Sequence, residues 1–233
     1  MYESKDAQYF SFVRRDIAPL LPADCGRVLE LGCGGGGTLA WLKSAGRAAH
    51  TTGVELCAGP AAAARTRVDR VIEGDLDEAL ETLPREAFDL VLCLDVLEHL
   101  VDPWDAVRRA RNLLRPGGSL VVSLPNVRHH SVVLPLLFKG SWRYRDAGIM
   151  DRTHLRFFSR DGARELLTQG GLRLAASIDS GIQRTRRRDA WKGLLSLTPL
   201  RDLAVFQFLL RAERPLAESE RVAALQGAQP LAA

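Results

Sequence analysis

Up to about residue 180, apolar and polar positions switch between two periods. Short apolar runs at Arg27 to Leu31, His50 to Glu55, Arg70 to Glu73, Phe88 to Leu94 and Ser119 to Leu124 predict strands. Between them, segments from about Gly36 to Ala45, Pro60 to Arg67, Asp77 to Leu83 and Pro103 to Leu114 read as helices, two of them with proline in the first turn. Phe88 to Leu94 is almost wholly apolar, as a central parallel strand covered on both faces must be. Strands separated by helices of this length predict right-handed βαβ units and a doubly wound α/β sheet.

The flanks are less regular. Tyr9, Phe12, Val13, Ile17, Leu20 and Leu21 have helical spacing, so Asp6 to Leu21 is expected to form an amphipathic helix within a leading cap of residues 1–24. After Pro125, Val127 to Phe138 is apolar and reads as a helix, and Lys139 to Thr153 reads as a long loop. Loops of that length in a compact domain often serve as lids or binding surfaces. Ser159 to Gln169 returns to helix, with Ser159 or Asp161 as N-cap and Gly170-Gly171 as the stop. Leu172 to Ile178 and Val205 to Ala212 read as two late strands. The expected division is a main domain over 25–216, interrupted by a lid-like insertion at 126–158 and a basic insertion at 181–202, with a frayed tail at 217–233.

Composition narrows the class. A chain of 233 residues, 46% hydrophobic and 26% charged, suits one core with decorations. No apolar run approaches the ~20 residues that span a bilayer, and the polar, mixed-charge start does not resemble a secretion signal, so a cytoplasmic protein without a membrane span is expected. Cys25, Cys33, Cys57 and Cys93 form no C-x-x-C pair; reduced core cysteines are expected, with Cys33 the exposed candidate. The net charge of +4 is small. Arg184, Arg186, Arg187, Arg188 and Lys192 cluster locally, a pattern of a solvated face more often than of a phosphate site, and one that does not by itself argue for nucleic acid.

The chemistry begins at the end of the first strand. Gly32, Gly34 and Gly37 have the G-x-G-x-x-G spacing that lets a backbone approach a pyrophosphate, a weak signal alone. Glu30 stands two residues ahead of Gly32, and more acids fall at later strand ends: Glu55, Asp75, and then Asp95 and Glu98. Ligands of open α/β sheets bind at the carboxyl ends of the strands, so these carboxylates should converge on one cleft. That cleft repels a pyrophosphate and attracts a ligand carrying a sulfonium and an ammonium, such as S-adenosylmethionine.

In order along the chain, Glu30-Leu-Gly-Cys-Gly34, Glu55, Gly74-Asp75-Leu76 and Leu114-Arg-Pro-Gly-Gly118 resemble the motifs of a class I S-adenosylmethionine-dependent methyltransferase over roughly residues 25–180. Asp95-Val-Leu-Glu-His-Leu100 and Asp151-Arg-Thr-His-Leu-Arg-Phe-Phe-Ser159 narrow the resemblance to the branch holding ubiquinone-biosynthesis and bacterial glycan or natural-product O-methyltransferases. The resemblance implies a Rossmann-like seven-stranded sheet ordered 3-2-1-4-5-7-6, the last strand antiparallel. It implies that Glu30, Gly32, Cys33 and Gly34 hold the amino-acid end of the donor, that Glu55 accepts from the ribose hydroxyls, that Asp75 and Leu76 serve the adenine, and that Leu56 and Asp95 also belong to the cofactor-binding set. The alternative for Glu55 and Asp75 is a solvated or capping acid.

Methyl transfer to a hydroxyl needs alignment and a base. If the segment after the fourth strand is helical, Asp95, Glu98 and His99 share one face. Their spacing resembles a metal-binding segment of related O-methyltransferases, which implies that Asp95, Glu98, His99 and His154 hold Mg²⁺ or Zn²⁺; Asp in place of the longer Glu at the first position shortens its reach. Without metal, His154 is the candidate base, with Asp95 and His99 beside it. His129 and His130 are expected to be exposed or to line the site, and Trp142 and Tyr144 either stack on a ring of the acceptor or anchor the loop. The expected acceptor is a small molecule bearing a hydroxyl, a sugar or secondary metabolite; Arg143, Arg145, Arg152 and Arg156 suggest one that is anionic or nucleotide-linked. The competing readings are an RNA 2′-O-methyltransferase, a nicotinamide dehydrogenase and a non-catalytic cofactor-binding partner protein. Nothing in the pattern assigns an oligomeric state.

Overall fold

A computed structural model describes residues 12–181, 198 and 200–216. Seven strands form one sheet: β1 (Gly26–Leu31), β2 (Ala48–Glu55), β3 (Arg70–Glu73), β4 (Phe88–Leu94), β5 (Leu114–Pro125), β6 (Arg173–Ser180) and β7 (Gln207–Glu213). Their order is β3-β2-β1-β4-β5-β7-β6. The first five run parallel, and β7 inserts antiparallel to both β5 and β6. The helices are α1 (Gly37–Ser44), α2 (Ala58–Ala64), α3 (Leu76–Thr82), α4 (Pro103–Leu113), α5 (His130–Lys139) and α6 (Arg160–Gln169).

Strand periodicity sends alternate residues to two cores. Leu29, Leu31, Val91 and Cys93 pack with α3, α4 and α6, including Leu80, Val107 and Leu166; Val28, Leu90 and Leu92 pack with Leu39 and Leu42 of α1 and with Ile17 and Leu20. Because β4 is covered on both sides, nearly all of its residues are buried, which is why its sequence lacks alternation. Local caps set the helix starts: Asp102 accepts from the amide of Asp105, and Ser159, rather than Asp161, caps α6.

The expected leading helix is not formed over its described part. Residues 12–14 have no regular structure, and Arg15–Leu20 is a single 3₁₀ segment containing Pro19. Two competing demands explain this. Proline cannot sit in a helix interior without losing a backbone bond, and the Arg14 amide donates to Thr38 Oγ1 while its side chain reaches into the sheet. The first eleven residues, Tyr9 included, lie outside the described set, as do the basic cluster 184–192 and the tail beyond 216. None of the described helices is long and apolar enough to cross a membrane.

Candidate active site

The carboxyl ends of β1 to β4 open on one cavity of about 580 Å³. Glu30, Glu55, Asp75 and Asp95 line it together with Gly32, Cys33, Gly34, Leu56, Leu76 and His99. Among the described residues, Arg14 is its single Lys or Arg lining residue. Four acids and one guanidinium make the pocket acid-rich, and the guanidinium is paired with Asp95 and with Asp16 outside the lining.

Each acid is held differently. Glu55 is the clasp of the glycine loop: its Oε2 accepts from the Gly34 amide at 2.8 Å and its Oε1 from the Cys57 amide at 2.9 Å. Each oxygen keeps a second lone pair for the cavity. Asp75 is exposed and caps α3 through the Asp77 amide, so it is both a capping acid and a lining residue. Glu30 is 3% exposed, and its Oε2 has no hydrogen-bond partner. Burial pushes its pKa up to about 8; Arg14 and Thr38 pull the other way and Glu55 adds to the rise. An unpartnered carboxylate oxygen at the edge of a cavity is a strong acceptor waiting for a cationic donor. Gly32 must be glycine: its φ is +71°, and an added Cβ would lie 2.5 Å from Val96 Cγ2.

Asp95 departs from the expected arrangement. It turns at φ +58°, and the 3₁₀ segment begins only at Leu97, so Asp95 does not share a helical face with Glu98 and His99. Its carboxylate accepts from Arg14, from Ser123 Oγ at 2.9 Å and from Gln207, residues supplied by three other parts of the chain. Arg14 and Gln207 were not singled out from the sequence. Their signal is visible only once β5 and β7 bring Ser123 and Gln207 beside the β4 turn.

Glu98, His99 and His154 form a separate cluster whose ligand atoms lie within 4.8 Å of one another. Glu98 is 1% exposed, and neither carboxylate oxygen has a hydrogen-bond partner. Burial, and then Asp95, hold its pKa far above the usual carboxylate range. The imidazoles are oriented from behind: His99 Nδ1 meets the Thr153 carbonyl at 3.1 Å and His154 Nδ1 the Ile149 carbonyl at 2.9 Å. A carbonyl only accepts, so both rings carry their proton on Nδ1 and a lone pair on Nε2. Burial, and next His154, lower the pKa of His99. The Glu98 carbonyl also accepts from the Leu155 and Arg156 amides at 2.8 and 3.0 Å, which joins the cluster to the segment before α6. Of the three, only His99 lines the cavity.

Other expected positions are placed away from the cavity. His129 is buried against Phe206, and His130 is half-buried with its Nδ1 on the Leu203 carbonyl, so neither lines the cavity. Trp142 and Tyr144 pack on Phe157 and thereby anchor the loop. Cys33 lines the cavity but is buried, and burial beside Glu30 and Glu55 pushes its thiol upward, which makes it inert rather than an exposed candidate.

This sheet order with an acid-lined cavity at its carboxyl edge defines a Rossmann-like methyltransferase fold, and the comparisons agree with it. A family model described as a methyltransferase domain matches residues 6–177, so the chain belongs to the S-adenosylmethionine-dependent methyltransferases. Among curated relatives, the ubiquinone biosynthesis O-methyltransferase of Pseudomonas aeruginosa strain UCBPP-PA14 is 34% identical over 188 residues, which are 70% of this chain and 79% of the relative. That of Xylella fastidiosa is 36% identical over 149 residues, 58% of this chain and 60% of the relative. The chain spans only 56% of the Marinobacter nauticus relative, at 33% identity over 138 residues, which are 51% of this chain. Among solved structures, an S-adenosylmethionine-dependent methyltransferase of Mesorhizobium loti superposes with a TM-score of 0.60 at 19% identity, covering 90% of this chain and 98% of the other. The cyclase SpnF gives a TM-score of 0.58 at 20% identity over 85% of this chain and 77% of the other, so the fold alone does not dictate the reaction.

Proposed function

We propose that this chain transfers the methyl group of S-adenosylmethionine to a hydroxyl of a small molecule, a sugar or a secondary metabolite. The observation that carries this reading is the cavity lined by Glu30, Glu55, Asp75 and Asp95 with Arg14 as its one cation. A donor with an ammonium and a sulfonium needs acid-rich surroundings of that kind. We assign the ammonium to Glu30, the ribose hydroxyls to Glu55 and the adenine to Asp75 and the Leu76 amide, while Arg14, whose five N–H groups go to Asp16, Asp95, Ser123 and Gln207, braces the wall beside Glu30. Gly32, Cys33 and Gly34 supply a backbone close enough to bound the amino-acid end. Asp95, saturated by three donors, positions the β4 turn rather than accepting a proton.

In the reaction the acceptor oxygen attacks the methyl carbon in line as the carbon–sulfur bond breaks, leaving neutral S-adenosylhomocysteine, and the hydroxyl proton passes to a base. His99 Nε2 is that base, because it lines the cavity and its lowered pKa keeps the lone pair available at neutral pH. His154 stands behind it, with ring centroids 4.7 Å apart. The buried carboxyl of Glu98 and the two oriented imidazoles also fit a metal ion, in which case His99 Nε2 would be a ligand and not the base. Such an ion would polarise the acceptor hydroxyl and lower its pKa. Two imidazoles and one carboxylate suit Zn²⁺ better than Mg²⁺, which prefers oxygen ligands. Arg143, Arg145, Arg152 and Arg156 around the lid favour an anionic or nucleotide-linked acceptor.

Isothermal calorimetry with S-adenosylhomocysteine, followed by an assay for its formation from S-adenosylmethionine with candidate acceptors, tests the reading. Absence of binding, or binding of a nicotinamide dinucleotide instead, overturns it.

A further inference from the structure

The glycine turn runs into α1, and the second residue of that helix is Thr38. A threonine near a helix start usually gives its hydroxyl to a cap or to a nearby backbone group. Here α1 starts from Gly36 without a side-chain cap. The Thr38 side chain is instead 3% exposed and part of the cavity lining.

Two groups meet its oxygen. The Arg14 backbone amide donates to Oγ1 at 3.3 Å from 24 residues away, and the Glu30 carboxylate is the other hydrogen-bond partner. A hydroxyl has one proton and two lone pairs. The Arg14 amide takes a lone pair and an ionised carboxylate only accepts, so the Thr38 proton points to Glu30. Oε2 of Glu30 has no partner, which places the bond on Oε1.

The surroundings of Glu30 give this bond its weight. Burial raises the pKa of the carboxyl; Arg14 and then Thr38 oppose the rise, and Glu55 adds to it. The Cys33 and Cys93 thiols also face Glu30, and burial keeps both protonated. The Arg14 guanidinium is already paired with Asp16 and Asp95. A hydrogen bond to the charged form favours that form, and the ammonium of the methyl donor needs it.

We propose that Thr38 is a positioning residue for the methyl donor: its hydroxyl, fixed by the leading segment, grips Oε1 of Glu30 and leaves Oε2 for the ammonium. Thr38 touches no reacting atom. The inference rests on the assignment of the ammonium to Glu30, and it makes the backbone of the leading segment part of that subsite.

Calorimetry with two probes, at pH values on both sides of 8, tests it. S-adenosylhomocysteine has the ammonium; 5′-methylthioadenosine has the nucleoside without the amino acid. Thr38→Val removes the hydroxyl and keeps the branched shape. It should weaken S-adenosylhomocysteine about tenfold at neutral pH, shift the gain of affinity to higher pH, and leave 5′-methylthioadenosine unchanged. Thr38→Ser should restore both affinity and profile, and Thr38→Ala repeats the comparison if the valine variant does not fold. In a Glu30→Gln background, Thr38→Val should have no further effect, whereas a threonine that only fastens the leading segment would have its full effect there. Unchanged S-adenosylhomocysteine affinity and profile in Thr38→Val, an equal loss for both probes, or a loss that persists in the Glu30→Gln background overturns the proposal while the cavity keeps its assignment. A parent chain that fails to bind S-adenosylhomocysteine overturns that assignment and this inference with it, a result read before any variant is made.

Discussion

Glu30 and Arg14 show what single side chains contribute. Folding takes Glu30 out of water, so the folded, ligand-free chain holds its proton up to about 8, whereas an unfolded chain releases it near 4.5. Between those values folding takes up a proton, so the stability of the empty protein should fall as pH rises across that window. Urea midpoints measured against pH will show this slope, and Glu30→Gln should flatten it. The donor's ammonium needs the ionised carboxylate, so S-adenosylhomocysteine affinity should strengthen toward pH 8 in the parent. In Glu30→Gln it should be weaker by about 1.5–3 kcal/mol, the worth of a charged hydrogen bond, and lose that dependence in calorimetry. Arg14→Met removes the donors to Asp95, Ser123 and Gln207 at once. It should also leave Asp16 and Asp95 without their cation and weaken donor binding severalfold by displacing the wall beside Glu30, and calorimetry that finds the affinity unchanged would show that Arg14 does not position the cavity. Glu30 was readable from its place before the glycines. Arg14 was not, because its partners other than Asp16 are 81, 109 and 193 residues away in sequence.

At the scale of elements, the β4 turn and the segment before α6 meet at Glu98, His99 and His154. Helical spacing suggested one face with Asp95; the turn at φ +58° breaks that spacing and assigns Asp95 to the Arg14 network. The cluster that remains draws its donors from the 3₁₀ segment and the lid. His154→Ala should therefore lower turnover and also loosen the lid, read as faster amide exchange over residues 149–158. If the cluster holds a metal, purified protein will contain close to one equivalent of zinc by elemental analysis, and His154→Ala will lose it. Ser159→Ala removes the N-cap of α6 and should cost about 1 kcal/mol of stability with little effect on donor affinity. The strands and helices of the core were legible because a doubly covered sheet imposes strict periods on its sequence. The leading segment and the lid lack such a period, and their conformations follow from contacts made elsewhere.

For the whole molecule, the decisive property is the sign of the field at the carboxyl edge of the sheet. An acid-rich lining whose single guanidinium is already paired favours a cationic donor and opposes a dinucleotide. At about a hundred times its Kd, S-adenosylhomocysteine should stabilise the chain by ~2.7 kcal/mol, a rise in Tm of roughly 5–10 °C for a domain of this size. NADH at the same concentration should leave Tm unchanged. The reverse outcome in a thermal-shift experiment overturns the assignment of the cavity.

The amino-acid sequence by itself determined the alternating strands and helices, the doubly wound topology and the row of acids at strand ends, since all of these rest on local period and on where an apolar run stops. Only the tertiary structure decided which acids stay available. Asp95 is neutralised by Arg14, Glu30 and Glu98 are left without hydrogen-bond partners at one or both oxygens, and the apolar end of α5 is turned outward. Those outcomes depend on burial and on partners far apart in the chain, and neither is encoded at the position where its effect is felt.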